Sequence, residues 1–397
     1  MPVARILSSD PPFARPGADN RSLPPAPPGV LERLAAEGEV VFNGDRPWDI
    51  RVHDPDLYRR ILRQGSLGFG EAYMDGLWDS ERLDETMTRL VGACVGERLP
   101  GVAALRAAVA QLEDLVLNRQ SRRRAFQVGE RHYDIGNDIY RAMLDSSMSY
   151  SCGYWRDART LEEAQRAKLD LICRKLELAP GERLLDIGCG WGGLAEHAAR
   201  HFGVEVHGIT ISREQLPLAR ERCRGLPVEI RLMDYRDLDG CFDKIVSVGM
   251  FEHVGLKNYR TFFRTAAQVL ADEGLMLLHT IGSRVSMRGT DPWVHRYIFP
   301  NGALPSVRQL GDSIEPWLVL EDWHCFGPDY DRTLQAWWQR FDAAWPDLQG
   351  GQYDLRFYRM WKYYLHLFMG YFRSRRGQLW QLVLSKPSRR ALYRAPR

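Results

Sequence analysis

The chain has 397 residues, of which 45% are hydrophobic and 26% charged, and its 54 basic and 51 acidic residues leave a formal net charge of +3. This length predicts two domains, and the small net charge gives no argument for a nucleic-acid partner. The seven cysteines are scattered and form no C-x-x-C pair, so they indicate neither a metal site nor a disulfide scaffold and favour a reducing cytoplasm. No apolar run approaches the roughly 18 residues that a membrane-spanning helix needs.

The N-terminal third is predicted to hold a leader and a small domain. Residues 1–29 contain eight of the 22 prolines and are predicted to be a flexible leader. A small α+β domain is expected over 30–118, with a hairpin at Asn43-Gly44, a packed turn in the glycine-rich segment 65–76 and a helix carrying Leu105, Val109, Leu112 and Val116 on one face. An arginine-rich linker, 119–130, follows it.

The remaining residues, 131–397, are predicted to form the catalytic domain. Thr160 and Glu163 make a capping box for a helix that runs to about Leu176. Apolar strands then alternate with helices, a pattern typical of a parallel sheet covered on both faces, so the fold class is α/β, Rossmann-like. Two further strands are expected in "LVLEDWHCF" and "QLWQLVLS" near the C-terminus.

A glycine-rich motif marks a cofactor site. Residues 188–193 read G-x-G-x-x-G between a predicted strand and a predicted helix, where glycines allow a sharp turn and a close cofactor approach. A nicotinamide enzyme would also carry this motif. Asp186, two residues before Gly188, is placed to face the methionine amino group of S-adenosylmethionine, which favours a methyltransferase.

The ends of the next two strands also favour that cofactor. No acidic residue ends the second strand, where a dinucleotide fold would bind a ribose, and the turn carries Thr210, Ser212 and Gln215 instead. The third strand ends in Asp234 and Tyr235, which suit an adenine: a carboxylate for the exocyclic amine and a ring for stacking.

Polar side chains at later strand ends predict the acceptor site. Glu252 and His279 follow two strands of the sheet, and Tyr330 follows another, so the three are expected to share one pocket beyond the carboxyl edge. Each has an alternative interpretation: Glu252 as a helix cap, His279 as a hydrogen-bonded core histidine, and Tyr330 as a packed aromatic.

These segments resemble the cyclopropane-fatty-acyl-phospholipid synthase family, relatives of the mycolic acid cyclopropane synthases. The resemblance is carried in order over roughly residues 30–390 by motifs such as "HYDIGND", "YSCGYW", "LDIGCGWGGLA", "IVSVGMFEHVG", "DPWVHRYIFPNG" and "EDWHCFGPDYDRTL". It implies that an acyl-chain alkene attacks the sulfonium methyl group of S-adenosylmethionine, and that the resulting carbocation loses a proton to close a cyclopropane ring.

The resemblance also implies the roles of particular residues. The base is a bound bicarbonate held by Cys152, Glu252, His279, Ile281 and Tyr330, with Cys152 and Ile281 contributing backbone groups and Glu252 sharing a proton with the anion. The cofactor contacts implied by the family are Tyr150, Ser151, Gly188, Gly190, Thr210, Gln215 and Tyr235.

The implied partner is unsaturated phospholipid in a bilayer, reached by a cytoplasmic enzyme associated peripherally with the inner membrane surface. A homodimer is expected, and by analogy the N-terminal domain docks on the membrane or pairs two protomers. Phe368 and Met369 are bulkier than expected beside an acyl tunnel.

Three other functions are considered for this sequence. The first is a methyltransferase that makes a methyl-branched or methylene product, or that acts on another lipid or a small-molecule alkene. The others are a nicotinamide oxidoreductase and a non-enzymatic lipid-binding module.

Overall fold

The computed structural model describes residues 26–94, 136–286 and 289–397. Its N-terminal segment consists of four helices and a two-stranded antiparallel ribbon. The predicted helix at 105–116, the linker 119–130 and most of the predicted leader lie outside the described residues. In chain order the elements are α1 (Gly29–Glu37), β1 (Arg51–Val52), α2 (Asp56–Gln64), α3 (Ser66–Met74), β2 (Trp78–Asp79) and α4 (Leu83–Gly92).

The hairpin predicted at Asn43-Gly44 is wrong. Asn43 does have a positive φ of 56°, but β1 pairs with β2 far along the chain, and Phe42 only bridges Ile50. The physical reason is the buried carboxylate of Asp49, whose Oδ1 accepts the Val41 N–H at 2.8 Å. Asp49 therefore closes residues 41–49 into a polar loop and takes a backbone donor that a hairpin would need.

The packed turn predicted for 65–76 is also wrong, because most of this segment is helix α3. Its glycines are explained by packing, since a Cβ at Gly68 would overlap the Arg60 carbonyl and one at Gly70 would overlap the Trp293 ring. Close approach thus compensates for the poor helix propensity of glycine.

The described residues from 136 onward form one seven-stranded sheet with helices on both faces. The strands, in spatial order β5-β4-β3-β6-β7-β9-β8, are β3 (Arg183–Ile187), β4 (Glu205–Thr210), β5 (Val228–Leu232), β6 (Phe242–Val248), β7 (Leu270–Ser283), β8 (Val319–Cys325) and β9 (Gly377–Ser385). The prediction of a parallel sheet holds from β5 to β7, whereas β9 runs antiparallel to both β7 and β8.

Alternating side chains of β3, β6, β7 and β9 belong to separate cores on the two faces of the sheet, as expected for a sheet that helices cover on both sides. The helices are α5 (Asn137–Met143), α6 (Leu161–Lys175), α7 (Gly193–Phe202), α8 (Gln215–Arg222), α9 (Tyr259–Val269), α10 (Pro292–Tyr297), α11 (Val307–Ile314), α12 (Pro328–Leu348) and α13 (Leu355–Arg373). The Thr160–Glu163 capping box at the start of α6 is confirmed. Within the described ranges, no helix combines the length and apolarity needed to cross a bilayer.

The N-terminal segment shares a core with the C-terminal helices. Buried residues of α1 to α4 belong to the same apolar cluster as those of α12 and α13. Where α13 crosses α4, a Cβ on Gly370 of α13 would come within 2.6 Å of the Met87 backbone of α4. The side chain of Arg359 also bonds to the Trp78 carbonyl oxygen and the Asp79 carboxylate, both at 2.9 Å. Burial and hydrogen bonds therefore fix this segment against α13.

Candidate active site

A cavity of about 250 Å³ opens beyond the carboxyl ends of β3, β4, β6 and β7. In an open parallel sheet this edge is where ligands bind. The cavity brings together the glycine turn, the predicted cofactor residues and the predicted acceptor residues. Of the residues singled out from the sequence, it is lined by Tyr150, Ser151, Asp186, Gly188, Gly190, Thr210, Ser212, Gln215, Asp234, Tyr235, Glu252, His279, Ile281, Tyr330 and Phe368.

The glycine turn brings bare backbone to the cavity. Gly188 and Gly190 have φ values of +85° and +56°, in the left-handed region that glycine adopts without strain. A Cβ at Gly188 would lie 2.7 Å from the Met250 side chain, whereas a Cβ at Gly190 would meet no atom within 4 Å. Gly188 is thus required by packing, and Gly190 leaves open space where a cofactor can approach the chain.

Asp186 ends β3 and has one oxygen without a partner. Its side chain is buried, and no hydrogen bond reaches its Oδ2 from the described residues. Burial raises the pKa of Asp186 to about 7, and the charge of Lys168 partly opposes that rise. A buried acceptor without a donor is costly unless a ligand satisfies it, so Asp186 suits a cationic group.

The turn after β4 holds its three polar side chains in one network. The Thr210 hydroxyl donates to Gln215 Oε1 at 3.2 Å and accepts from the Ser212 N–H at 3.1 Å. The Ser212 hydroxyl oxygen in turn accepts from the Gln215 N–H at 3.2 Å. All three residues are buried, so their mutual hydrogen bonds fix the cavity wall here.

Asp234 and Tyr235, which follow β5, also contact Arg236, and the sequence did not suggest these contacts. Both carboxylate oxygens of Asp234 accept from the Arg236 guanidinium, Oδ2 from Nη2 at 2.6 Å and Oδ1 from Nε at 2.7 Å. The Tyr235 hydroxyl is buried and finds no hydrogen-bond partner in residues 26–94, 136–286 and 289–397, and burial raises its pKa to about 12. The Arg236 guanidinium lies 5.2 Å from the centre of the Tyr235 ring. A carboxylate and an aromatic face thus border the cavity together.

Glu252 lies in a 3₁₀ turn after β6 and points into the acceptor side. Its Oε1 accepts the Ile281 N–H at 2.6 Å, while its Oε2 is buried and has no hydrogen-bond partner in the described part of the chain. Burial raises the pKa of Glu252 to about 6, so its carboxyl is poised to hold or share a proton near neutral pH. The helix that follows begins at Tyr259, so the cap interpretation does not account for Glu252.

His279 and Tyr330 present hydrogen-bond donors to the same cavity. The Gln381 amide nitrogen lies 3.2 Å from His279 Nδ1 and donates to it, which leaves the imidazole proton on Nε2. That Nε2 has no partner among the described residues, and burial holds the pKa of His279 well below its usual value. The Tyr330 ring stacks on Phe372 at 4.4 Å, and burial keeps the phenol protonated by raising its pKa.

The segment before the sheet borders the cavity through Tyr150 and Ser151, but the next residue, Cys152, is not part of the lining. The Tyr150 hydroxyl lies 2.7 Å from that of Tyr364 on α13. The Cys152 thiol is buried 3.7 Å from the Thr333 hydroxyl, and burial raises its pKa well above the usual value. A neutral, buried thiol suits a structural role, and the backbone role of Cys152 toward the anion stays a prediction.

Among the lining residues that sequence reasoning missed, two have functional side chains close to the predicted site residues. Lys168 lines the cavity from α6, and Tyr364 lines it from α13. A signal existed for Lys168, since it falls on the apolar face of α6 with Leu161, Ala164 and Ile172, where a lysine is unexpected. Tyr364 lies in an aromatic-rich helix that offers no comparable signal.

The cavity divides into two chemically different parts. The part beside the glycine turn is polar, with the unpaired Oδ2 of Asp186. The other part is largely apolar and is walled by Val294, Phe299, Leu304, Phe368 and Leu379, whereas the buried Met369 is not in its lining. Such a site accommodates a polar cofactor at one end and a hydrocarbon chain at the other, with Glu252, His279 and Tyr330 available to both.

This chain is similar in sequence to known proteins. Residues 120–382 match the family model described as mycolic acid cyclopropane synthetase. The chain is 53% identical over 359 residues to the cyclopropane-fatty-acyl-phospholipid synthase of Escherichia coli K12, covering 90% of this chain and 93% of that protein. It is 35% identical over 381 residues to the tuberculostearic acid methyltransferase UfaA1 of Mycobacterium tuberculosis, covering 90% and 88%.

A solved structure agrees with these matches. The mycolic acid cyclopropane synthase CmaA1, complexed with SAH and CTAB, superposes with a TM-score of 0.60 at 31% identity, covering 66% of this chain and 98% of that chain. Coclaurine N-methyltransferase, at 23% identity and a TM-score of 0.66, shares the fold. With a site that suits a sulfonium cofactor, this chain is an S-adenosylmethionine-dependent methyltransferase and belongs to the mycolic acid cyclopropane synthetase family.

Proposed function

We propose that this enzyme adds a methylene group to the double bond of unsaturated phospholipid acyl chains and forms a cyclopropane ring. The proposal rests on one cavity in which a polar cofactor end adjoins an apolar end. Two atoms in its wall, Glu252 Oε2 and His279 Nε2, have no hydrogen-bond partner among the described residues. The named activity of the E. coli relative, 53% identical over 90% of this chain, supports the same reaction.

S-adenosylmethionine supplies an electrophilic methyl group when bound. The residues proposed to hold it are Asp186 toward the α-ammonium group, the open turn at Gly190, and Asp234 with Tyr235 toward the adenine. Thr210, Ser212 and Gln215 fix the wall between them. Because an alkene is a weak nucleophile, the contribution of the protein is to hold the double bond close to that methyl group and exclude water.

The acceptor part stabilises the positive charge that develops on the acyl chain. The rings of Phe299, Tyr364 and Phe368 form a connected edge-to-face set, with centroids 5.3 to 5.9 Å apart, along the apolar wall. Aromatic faces attract cations through their quadrupoles. Removal of one proton from the added methyl group then lets the ring close, so the net gain of the acyl chain is CH₂.

The residues around Glu252 fit a bicarbonate ion as the proton acceptor. Bicarbonate has oxygens that accept hydrogen bonds and one O–H that donates. The Nε2–H of His279 and the Tyr330 hydroxyl are donors in the cavity wall, and the unpartnered Oε2 of Glu252 is an acceptor for the O–H. The raised pKa of Glu252 allows it to share a proton with an anion. The carboxyl group and the bicarbonate ion therefore do not repel each other as two full negative charges would.

The test is incubation with vesicles of unsaturated phospholipid and S-adenosylmethionine, with bicarbonate present or removed, followed by fatty-acid analysis. Cyclopropane chains should form, more slowly without bicarbonate, and saturated lipid should be unchanged. The absence of any modified chain from unsaturated lipid would contradict the proposal.

A second candidate is a methyltransferase whose product is a methyl-branched or methylene chain. The 35% identity to a tuberculostearic acid methyltransferase favours it, because that match also covers 90% of this chain. Cyclopropane and methylene products have equal mass, so NMR of the isolated fatty acids is needed. Olefinic or branched-methyl signals in place of cyclopropane protons would select this candidate.

The proposal includes peripheral association with the inner membrane surface and a homodimer. The expected lipid contact of the basic stretch 119–131 lies outside the described residues. Sedimentation with anionic and neutral vesicles should show preference for anionic lipid that weakens when these arginines are replaced. Binding that ignores both changes would remove this part of the proposal.

A further inference from the structure

Helix α6 carries two buried lysines that are satisfied in different ways. Lys175 is fully buried and forms an ion pair with Asp322, with 3.0 Å between Nζ and Oδ2. Lys168, seven residues earlier and also buried, lines the cavity instead. Its Nζ donates to the Ser151 hydroxyl oxygen at 3.0 Å, the one acceptor that the described residues offer it. Lys168 thus has a buried positive charge and no carboxylate in direct contact.

An ammonium group has three N–H donors, so two of those on Lys168 await acceptors. Leaving charged donors unsatisfied in a buried site is costly, and burial accordingly lowers the pKa of Lys168 to about 8. Asp186 has the opposite deficit, because its Oδ2 is an acceptor without a donor. The two residues border the same cavity beside the glycine turn, yet they form no ion pair with each other that would cancel both deficits.

The methionine end of S-adenosylmethionine carries one α-ammonium and one α-carboxylate group. It therefore offers the acceptor that Lys168 lacks and the donor that Asp186 lacks. We propose that Lys168 binds the α-carboxylate of the cofactor, while its bond to Ser151 anchors the Tyr150–Ser151 segment over the same group. This inference rests on the proposed S-adenosylmethionine site. It adds Lys168, a cation, to a site in which Asp186 is the anion.

Lys175 provides a matched comparison within the same helix. Both lysines lie on the buried face of α6, two turns apart, but the protein supplies a carboxylate only to Lys175. Replacement of Lys175 should disturb the ion pair with Asp322 and the stability of the fold without touching the cavity. Replacement of Lys168 should weaken the binding of ligands that carry the α-carboxylate.

The experiment measures binding of S-adenosylhomocysteine and of its decarboxylated analogue by calorimetry. The wild-type protein should bind S-adenosylhomocysteine more tightly by about tenfold or more, the effect of a charge-assisted hydrogen bond. Lys168→Met should abolish most of this preference by weakening S-adenosylhomocysteine binding alone. Lys175→Met should lower the melting temperature and keep the preference within about twofold of wild type.

Equal affinity of the wild-type protein for the two ligands would overturn the inference without any variant. An equal loss of both ligands in Lys168→Met would assign Lys168 a purely structural role, and Lys168→Gln serves if the Met variant does not fold. If the wild type binds neither ligand, the proposed cofactor site fails as well. If it binds S-adenosylhomocysteine with the expected preference yet modifies no lipid, the proposed lipid reaction fails while the Lys168 assignment stands.

Discussion

The two halves of the cavity are built in contrasting ways. The cofactor half is formed mainly by consecutive turns after β3, β4 and β5, each within a few residues of its strand. The acceptor half combines residues from β7, α10, α12 and α13, which lie far apart in the chain and join it through antiparallel strands and close helix packing. Local motifs fix the first half, whereas the second depends on how distant elements meet. Variants in each half should therefore affect different steps.

The largest expected effect is at the boundary between the halves. Glu252→Gln keeps an oxygen for the Ile281 N–H but replaces the free Oε2 acceptor by an amide donor. We expect turnover on unsaturated vesicles to fall by about 100-fold or more, the scale of general acid–base catalysis, with S-adenosylhomocysteine affinity within about threefold of wild type. Product formation is measured by gas chromatography of the fatty acids.

Glu182→Gln is the matched control, since Glu182 pairs with Lys244 at the opposite end of the strands and should leave turnover near that of wild type. Turnover of Glu252→Gln within about threefold of wild type would remove Glu252 from the reaction.

Next in size is the loss of a charge in the cofactor half. Asp186→Asn should weaken S-adenosylhomocysteine binding by about 10- to 100-fold, because an amide replaces a buried carboxylate that faces a cation. Asp170→Asn, which removes a carboxylate paired with His197 away from the cavity, is the control. Calorimetry that gives equal affinities for Asp186→Asn and wild type would exclude Asp186 from the cofactor site.

The same carboxylate predicts a pH dependence. Burial raises the pKa of Asp186 to about 7 in the ligand-free protein, so the carboxyl is mostly protonated below that pH. Binding of a cationic group requires the ionised form, and affinity should thus decrease as the pH falls below 7, by up to about tenfold per pH unit. Calorimetry at pH 6, 7 and 8 measures this slope. In Asp186→Asn it should disappear, and an unchanged slope there would assign it to another group.

The smallest expected effect lies in the apolar half. Phe368 lines the cavity with its ring 5.9 Å from that of Phe299, so Phe368→Ala enlarges the space for the acyl chain. The ratio of products from long and short unsaturated chains in mixed vesicles should change by about three- to tenfold, with cofactor affinity unchanged. The neighbouring Met369→Ala should lower the melting temperature and leave this ratio alone, because Met369 is buried outside the lining. Identical ratios in both variants would contradict a role for Phe368 in chain selection.

Predictions from the sequence succeeded where the conformation of a short segment is determined by its own residues. The Thr160 capping box, the strands of the sheet and the turn at 188–193 all depend on neighbouring residues, and the structure places them as expected. The two that failed depend on contacts that the motif itself does not show, and at Asn43-Gly44 the contact is that of the Asp49 carboxylate with the Val41 N–H. In the segment 65–76, a helix accommodates glycines because the Arg60 carbonyl and the Trp293 ring lie where Cβ atoms would be, and no local pattern reveals that.

The sequence by itself determined the fold class, the position of the glycine turn and most of the polar residues around it, because strand and turn chemistry is local. Only the tertiary structure decided that Lys168 has no carboxylate partner while Lys175 has one, and that Phe368 faces the cavity while Met369 does not. Hydrogen-bond satisfaction and the direction of a side chain depend on which elements pack together. These properties arise when α6, α12 and α13 close over the sheet edge.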